Sequence, residues 1–293
     1  MYREIAANKR KTILLMFIFF VLIGLIGFAA AAYFGDYFIT VFALVFALGY
    51  TLWGYFASDK TALAMNNAGQ IEKSDNPRLW RIVENLSITT GMPMPAVYII
   101  EDPALNAFAT GRDPQHASVA VTTGLLDILD DKELQGVMAH ELGHIQNYDI
   151  RLTMIAFGLV AAISILSDFI MRSLFWGSFG NKSENSSPIL YIALFFAVIV
   201  IPIVATIVQL SISRKREYLA DATGALTTRY PEGLASALQK IADNGSVMKK
   251  QNTSTAHLFI ANPLSGSVVS KLFSTHPPIE ERIAKLNQIG AKA

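Results

Sequence analysis

Val137-Met138-Ala139-His140-Glu141-Leu142-Gly143-His144 has the H-E-x-x-H form and lies in a predicted helix that runs almost directly into an apolar span. Residues four apart on a helix stack on one face, so His140 and His144 can present two imidazoles to one metal ion. Glu141 lies off that face, where a carboxylate can take the proton of an attacking water, the general-base role in a zinc peptidase. So short a pattern also arises in helices that bind nothing. Its meaning depends on whether the remaining chain supplies a third ligand, a partner for the histidines and a matching place in the fold.

The 293 residues include no cysteine, which excludes disulfides and thiolate ligands, so a metal site here draws on His, Asp and Glu. The histidines are His116, His140, His144, His257 and His276. A 52% hydrophobic chain with 16% charged residues and mean hydropathy +0.39 is too apolar for an ordinary soluble domain. A net charge of +1 gives no electrostatic reason to expect nucleic acid as a partner.

Four apolar runs, at residues 12–33, 37–57, 152–171 and 189–212, are long enough to cross a bilayer as helices. The first two are separated only by Phe34-Gly35-Asp36 and read as a hairpin. A cleaved signal peptide is the alternative for the first, given its basic start and Ala29 to Ala32, but the run is longer than a usual signal core. Pro202 falls inside the fourth run and predicts a kink. Asp168, near the end of the third, can reach the interface. Basic residues cluster before the first run, after the fourth at Arg214-Lys215-Arg216, and in the segment after the second. By the positive-inside rule both termini, residues 58–149 and everything after 213 face the cytoplasm. Four units follow: an N-terminal transmembrane hairpin (1–57), a cytoplasmic catalytic segment (58–149), a second transmembrane pair (150–212) and a cytoplasmic C-terminal segment (213–293).

Within residues 58–149, Asn76-Pro77 starts a predicted helix with Leu79, Ile82, Val83, Leu86 and Ile88 on its buried face. Residues 96–100, 106–110 and 117–122 read as strands. A small sheet beside the motif helix offers an extended peptide an edge to pair with, or simply closes a small core. Asp130 and Glu133 have capping-box spacing at the start of the motif helix.

Directly after the fourth run, Arg216-Glu217-Tyr218-Leu219-Ala220-Asp221 places Glu217 and Asp221 four apart on one helical face. Two histidines plus a glutamate, with one position left open, is a catalytic zinc arrangement. Asp221 could accept from the distal N–H of a liganding histidine. The pair could equally belong to a charged interfacial face. Topology joins the halves: the motif ends at the cytoplasmic mouth of the third span and Glu217 lies at that of the fourth.

His140-Glu141-Leu142-Gly143-His144, Arg216 to Asp221, Asn106-Ala107-Phe108-Ala109, Ser274-Thr275-His276-Pro277-Pro278 with Arg282, and the four spans together resemble the HtpX-type membrane zinc metalloproteases, relatives of the CAAX prenyl endopeptidases. The resemblance covers nearly the whole chain. It implies a mainly α integral membrane protein with four transmembrane helices and a cytoplasmic α+β zincin-like domain carrying a small β-sheet. It implies one Zn2+ per subunit on His140, His144 and Glu217, with Glu141 catalytic. Asn106 would position substrate backbone, and His276 would stabilise the oxyanion or orient substrate. Such proteins degrade misfolded or damaged polypeptides, membrane proteins included, in the bacterial cytoplasmic membrane under stress, which leaves room for overlap with other quality-control proteases. Read from the residues alone, His276 is a functional donor or merely a cap, Asn106 is a turn residue as readily as a contact, and His116 and His257 are solvated loop residues. A dedicated processing protease, a scaffold retaining a structural zinc, and a transporter are the competing readings. A structural zinc has no use for Glu141, and no mid-span ionisable residue has an evident partner.

Overall fold

A computed structural model describes residues 2–159, 161–162, 214–244, 248–249, 255–261 and 277–291. The chain opens with α1 (Tyr2–Phe34), whose first turns already contain the basic residues, and α2 (Phe38–Met65). Both are long and apolar enough to cross a membrane, over Ile5–Phe28 and Phe38–Met65. Ile13, Phe17, Leu25, Val41, Phe42, Val45 and Leu48 point outward. A helix of a soluble core buries such side chains, whereas lipid accepts them on every side. Leu15, Phe19, Leu22, Ile23 and Ala47 instead pack on Leu152, Ile155, Ala156 and Leu159 of the helix over 149–159, which we label α6. The third apolar run is thus described only to residue 162. The fourth, with Pro202, lies outside the described residues, as does Asp168.

The α2 helix continues eight residues past the expected end of its span, because Ser58 to Thr61 contain no breaker and Ala62 and Leu63 find a buried place against the sheet. Next, α3 (Pro77–Thr90) is capped by the Asn76 Oδ1, which accepts from Leu79 N at 3.0 Å. Leu79, Val83 and Leu86 are buried, but Ile88 is 74% exposed. Nine residues after Leu79, at 100° per residue, Ile88 falls on the opposite side of the helix, so the helical period places it in solvent and not on the buried face.

Among the described residues, four strands form one mixed sheet, in the order β1 (Gly69–Gln70), β2 (Ala96–Ile100), β4 (Ala117–Thr122), β3 (Ala107–Gly111). Only β1 was not foreseen. The β2–β4 pair is parallel, and β3 runs antiparallel to β4 with Ala107 opposite Val121, leaving β3 outermost. The α4 helix (Thr123–Ile128) leads into α5 (Asp131–Gln146), and α7 (Arg214–Thr228), α8 (Pro231–Asp243) and α9 (Ile279–Gly290) complete the described α-helices. One face of the sheet, through Val97, Ala107, Val119 and Val121, shares a core with Leu79, Leu134, Met138, Leu234 and Leu286. The other, through Phe108 and Ala120, packs on Ala62, Met154, Phe157 and Phe259. The motif helix α5 is therefore enclosed between the sheet and the C-terminal helices.

Candidate active site

The start of α5 is fixed by a complete capping box: Asp130 Oδ1 accepts from Glu133 N at 2.9 Å, and Glu133 Oε2 accepts from Asp130 N at 2.8 Å. Leu134, Val137, Met138, Leu142 and Ile145 anchor the helix in the core, and His140 and Glu141 are buried with it. Small residues on α7 let it lie close alongside. A Cβ on Gly224 would stand only 3.1 Å from His140 N, and Ala220 is fully buried. That approach turns Glu217 and Asp221, one turn apart, toward the two histidines.

The Nε2 atoms of His140 and His144 are 3.1 Å apart. Glu217 Oε2 lies 3.8 Å from His140 Nε2, and its Oε1 lies 3.6 Å from His144 Nε2. One donor atom from each of the three residues falls within 4.8 Å of the others. Ligand bonds of about 2.0–2.1 Å around a tetrahedral ion put donor atoms about 3.3 Å apart, so the donor set fits a zinc-sized cation. The outer nitrogens strengthen the fit. His140 Nδ1 is 2.9 Å from Asp221 Oδ1, and His144 Nδ1 is 3.0 Å from Asp149 Oδ2. A carboxylate at Nδ1 keeps the proton there and leaves the Nε2 lone pair facing inward. Two such lone pairs 3.1 Å apart in a buried site repel each other unless a cation or a proton lies between them. Burial opposes a proton on His144, yet Glu217, Asp149 and Glu141 overcome that and push it up to about 9.

The other groups are tuned in the same field. Burial would raise the Asp221 carboxyl, but Arg282 and His140 hold it well below the usual carboxylate range. Burial pushes Glu141 upward, opposed by the two histidines and, more weakly, by the nearby Ala109 backbone of β3. The motif helix α5 packs on β3 along this edge of the sheet.

Asn106 sits one residue before β3 and is buried. Its Nδ2 donates to Ala261 O at 2.9 Å, and its Oδ1 accepts from Ala261 N at 3.1 Å, so both ends of the amide engage a segment of the same chain. His276 lies outside the described residues, as does the side chain of His257. His116 is exposed, 2.6 Å from Asp113. The sequence reading assigned no role to Asp149 or to the fully buried Arg282. Asp149 returns to His144 because the chain breaks at Asn147–Tyr148, where Tyr148 adopts φ 59, before α6 begins. A carboxylate just beyond an H-E-x-x-H helix was the available signal.

A family model described as Peptidase family M48 matches residues 73–289. The "Protease HtpX homolog" of Tropheryma whipplei (strain Twist) is 54% identical over 290 residues, covering 99% of this chain and 99% of its own. That of Dictyoglomus turgidum is 45% identical over 293 residues, covering 99% and 95%. Among solved structures, the crystal structure of S. mikatae Ste24p is similar with a TM-score of 0.51 and 19% identity, over 98% of this chain and 67% of that one. At that identity the likeness concerns the fold alone.

Proposed function

Because the chain belongs to peptidase family M48 and is a metalloprotease, we propose that it is a zinc-dependent membrane endopeptidase, active at the cytoplasmic face on misfolded or damaged polypeptides, membrane proteins among them. The observation that carries this reading is the convergence of the buried His140 with the partly buried His144 and Glu217, with the buried Glu141 beside them. These three residues would hold one zinc ion per subunit. Zinc, when bound, supplies Lewis-acid polarisation of the scissile carbonyl and acidifies water.

The chain's own residues do the rest. Glu141 takes the proton of the attacking water and returns it to the leaving amine. Its buried setting raises its proton affinity toward what that shuttle needs. Asp221 and Asp149 hold the histidine rings by their outer nitrogens. Substrate backbone would lie extended along the Asn106 to Thr110 edge, with Asn106 and His276 as the backbone and oxyanion contacts. The lipid-suited exterior of α1 and α2 supports membrane insertion, and the basic residues at Arg3, Lys9, Arg10 and Lys11 support a cytoplasmic N-terminus.

Zinc quantitation paired with cleavage of an unfolded membrane protein in detergent tests the proposal. Glu141→Gln is expected to keep zinc and lose proteolysis, and Glu217→Ala to lose zinc. Full activity of Glu141→Gln, or full metal content in Glu217→Ala, would overturn it.

A further inference from the structure

The two ligand histidines are backed differently. Asp221, behind His140, is braced by Arg282 from the C-terminal helix α9. Asp149, behind His144, is braced by the opposite end of the chain. Its Oδ2 faces His144, while its Oδ1 accepts from Asn8 Nδ2 at 2.7 Å and lies 3.5 Å from Arg216 Nη1. Asn8 Nδ2 also donates to Asn147 O at 3.0 Å, so it bridges both sides of the α5–α6 junction. Asn8, Asn147 and Asp149 are each 3% exposed or less. One residue on, Lys9 Nζ stands 4.4 Å from the Tyr148 ring centroid. The start of α1 thus grips the junction at Asn147, Tyr148 and Asp149.

A buried asparagine side chain is costly unless its amide is satisfied. Here satisfaction comes from the carboxylate that orients a ligand. We propose that Asn8 and Asp149 form a two-step hydrogen-bonded relay that positions the metal ligand His144, making the first membrane helix a working part of the metal centre. A neutral amide suits the task. It supplies hydrogen bonds to a carboxylate and a carbonyl without adding a charge beside Arg216. Displacing α1 frees Asp149 to turn toward Arg216 and lets the His144 ring rotate away from the direction that meets Glu217. The inference rests on the metal site proposed above.

The test uses the full chain in lipid nanodiscs, reading zinc Kd by chelator competition and the visible absorption of the Co2+-substituted protein. Loss of an outer partner of a metal-bound histidine weakens metal binding about 10–100-fold, the effect expected for Asp149→Asn. Asn8→Ala, and Asn8→Val as a second variant suited to a membrane helix, are expected to weaken zinc about tenfold and to shift the Co2+ bands. In the Asp149→Asn background Asn8→Ala should add little, whereas with Asp221→Asn its effect should multiply in full. Unchanged Kd and spectrum in the folded Asn8 variants, or full multiplicativity with Asp149→Asn, overturn the relay. A wild-type protein that binds no zinc sinks the metal site itself, a result distinct from either.

Discussion

Arg282 clamps Asp221 with two prongs: Nε is 2.9 Å from Oδ2 and Nη2 is 2.7 Å from Oδ1, with the guanidinium fully buried. The same Nη2 lies 3.4 Å from the His140 ring nitrogens. Arg282 therefore decides where the Asp221 carboxylate, and through it His140, can sit.

A lysine keeps the charge but not the planar fork. Arg282→Lys should lower zinc affinity about tenfold through a loosened His140, measured by chelator competition. Arg282→Met leaves a buried carboxylate without its countercharge, which costs about 3–5 kcal/mol. Thermal unfolding in detergent should show this loss, and a Tm within a degree of wild type would refute it.

The packing of α5 on α8 depends on a missing side chain. A Cβ at Gly136 would stand 2.6 Å from Leu234 N and 2.9 Å from its Cα, against backbone that cannot rotate aside. By helix propensity alone, Gly136→Ala would stabilise by about 1 kcal/mol. The steric clash should reverse that sign, giving a net loss of about 1–3 kcal/mol. Because α5 carries His140 and His144, zinc content should fall with stability. A stabilised variant would show that α8 moves away freely.

How far this arrangement is legible in the sequence depends on the range of the forces involved. The pairing of His140 with His144 follows from helical period alone, and the capping of α5 from Asp130 and Glu133 within one turn. Glu217 could be brought to the motif because adjacent spans deliver both to one surface. The contact of Asp149 is not legible locally because it depends on one backbone conformation, φ 59 at Tyr148. Arg282 and Asn8 reach the site from 142 and 139 residues away, from His140 and Asn147 respectively, and no local pattern encodes such distances. The end of α2 was misplaced for another reason: apolarity stops near residue 57, whereas helix formation needs only the absence of a breaker.

Glu133 gives the fold a pH dependence whose sign can be stated. Its side chain is 5% exposed, with Oε2 2.7 Å from Lys240 Nζ and Oε1 2.7 Å from Ser236 Oγ. Burial would raise its pKa, but Lys240, Ser236 and the Asp130 N–H hold it below the usual 4.5. A depressed folded-state pKa contributes stability above the unfolded value, lost as pH falls through the folded one. Glu133→Gln should therefore cost about 1–3 kcal/mol at pH 7, and the gap from wild type should narrow as pH drops below about 4.5. Unfolding curves at pH 7, 5 and 3.5 measure it. A gap that widens on acidification would contradict the assignment.

Asn106 mimics a strand partner. Its amide exchanges two hydrogen bonds with the backbone of Ala261, while Ile260 N donates to Ala107 O at 3.0 Å. Residues 260–261 thus occupy the start of the β3 edge, and an extended peptide pairing there would first displace them. Asn106→Asp removes the donor to Ala261 O and sets a negative charge against that carbonyl. Hydrogen exchange at Ile260 and Ala261 should then accelerate about tenfold or more, the kinetic equivalent of losing about 1.4 kcal/mol, while α5 amides stay protected. If the segment holds β3 through Phe259 instead, whose ring meets Phe108 edge-on at 4.9 Å, exchange at Ala261 will not change in Asn106→Asp and will rise in Phe259→Ala. Because Asn106 is buried and its amide is paired in both directions, the first outcome is expected.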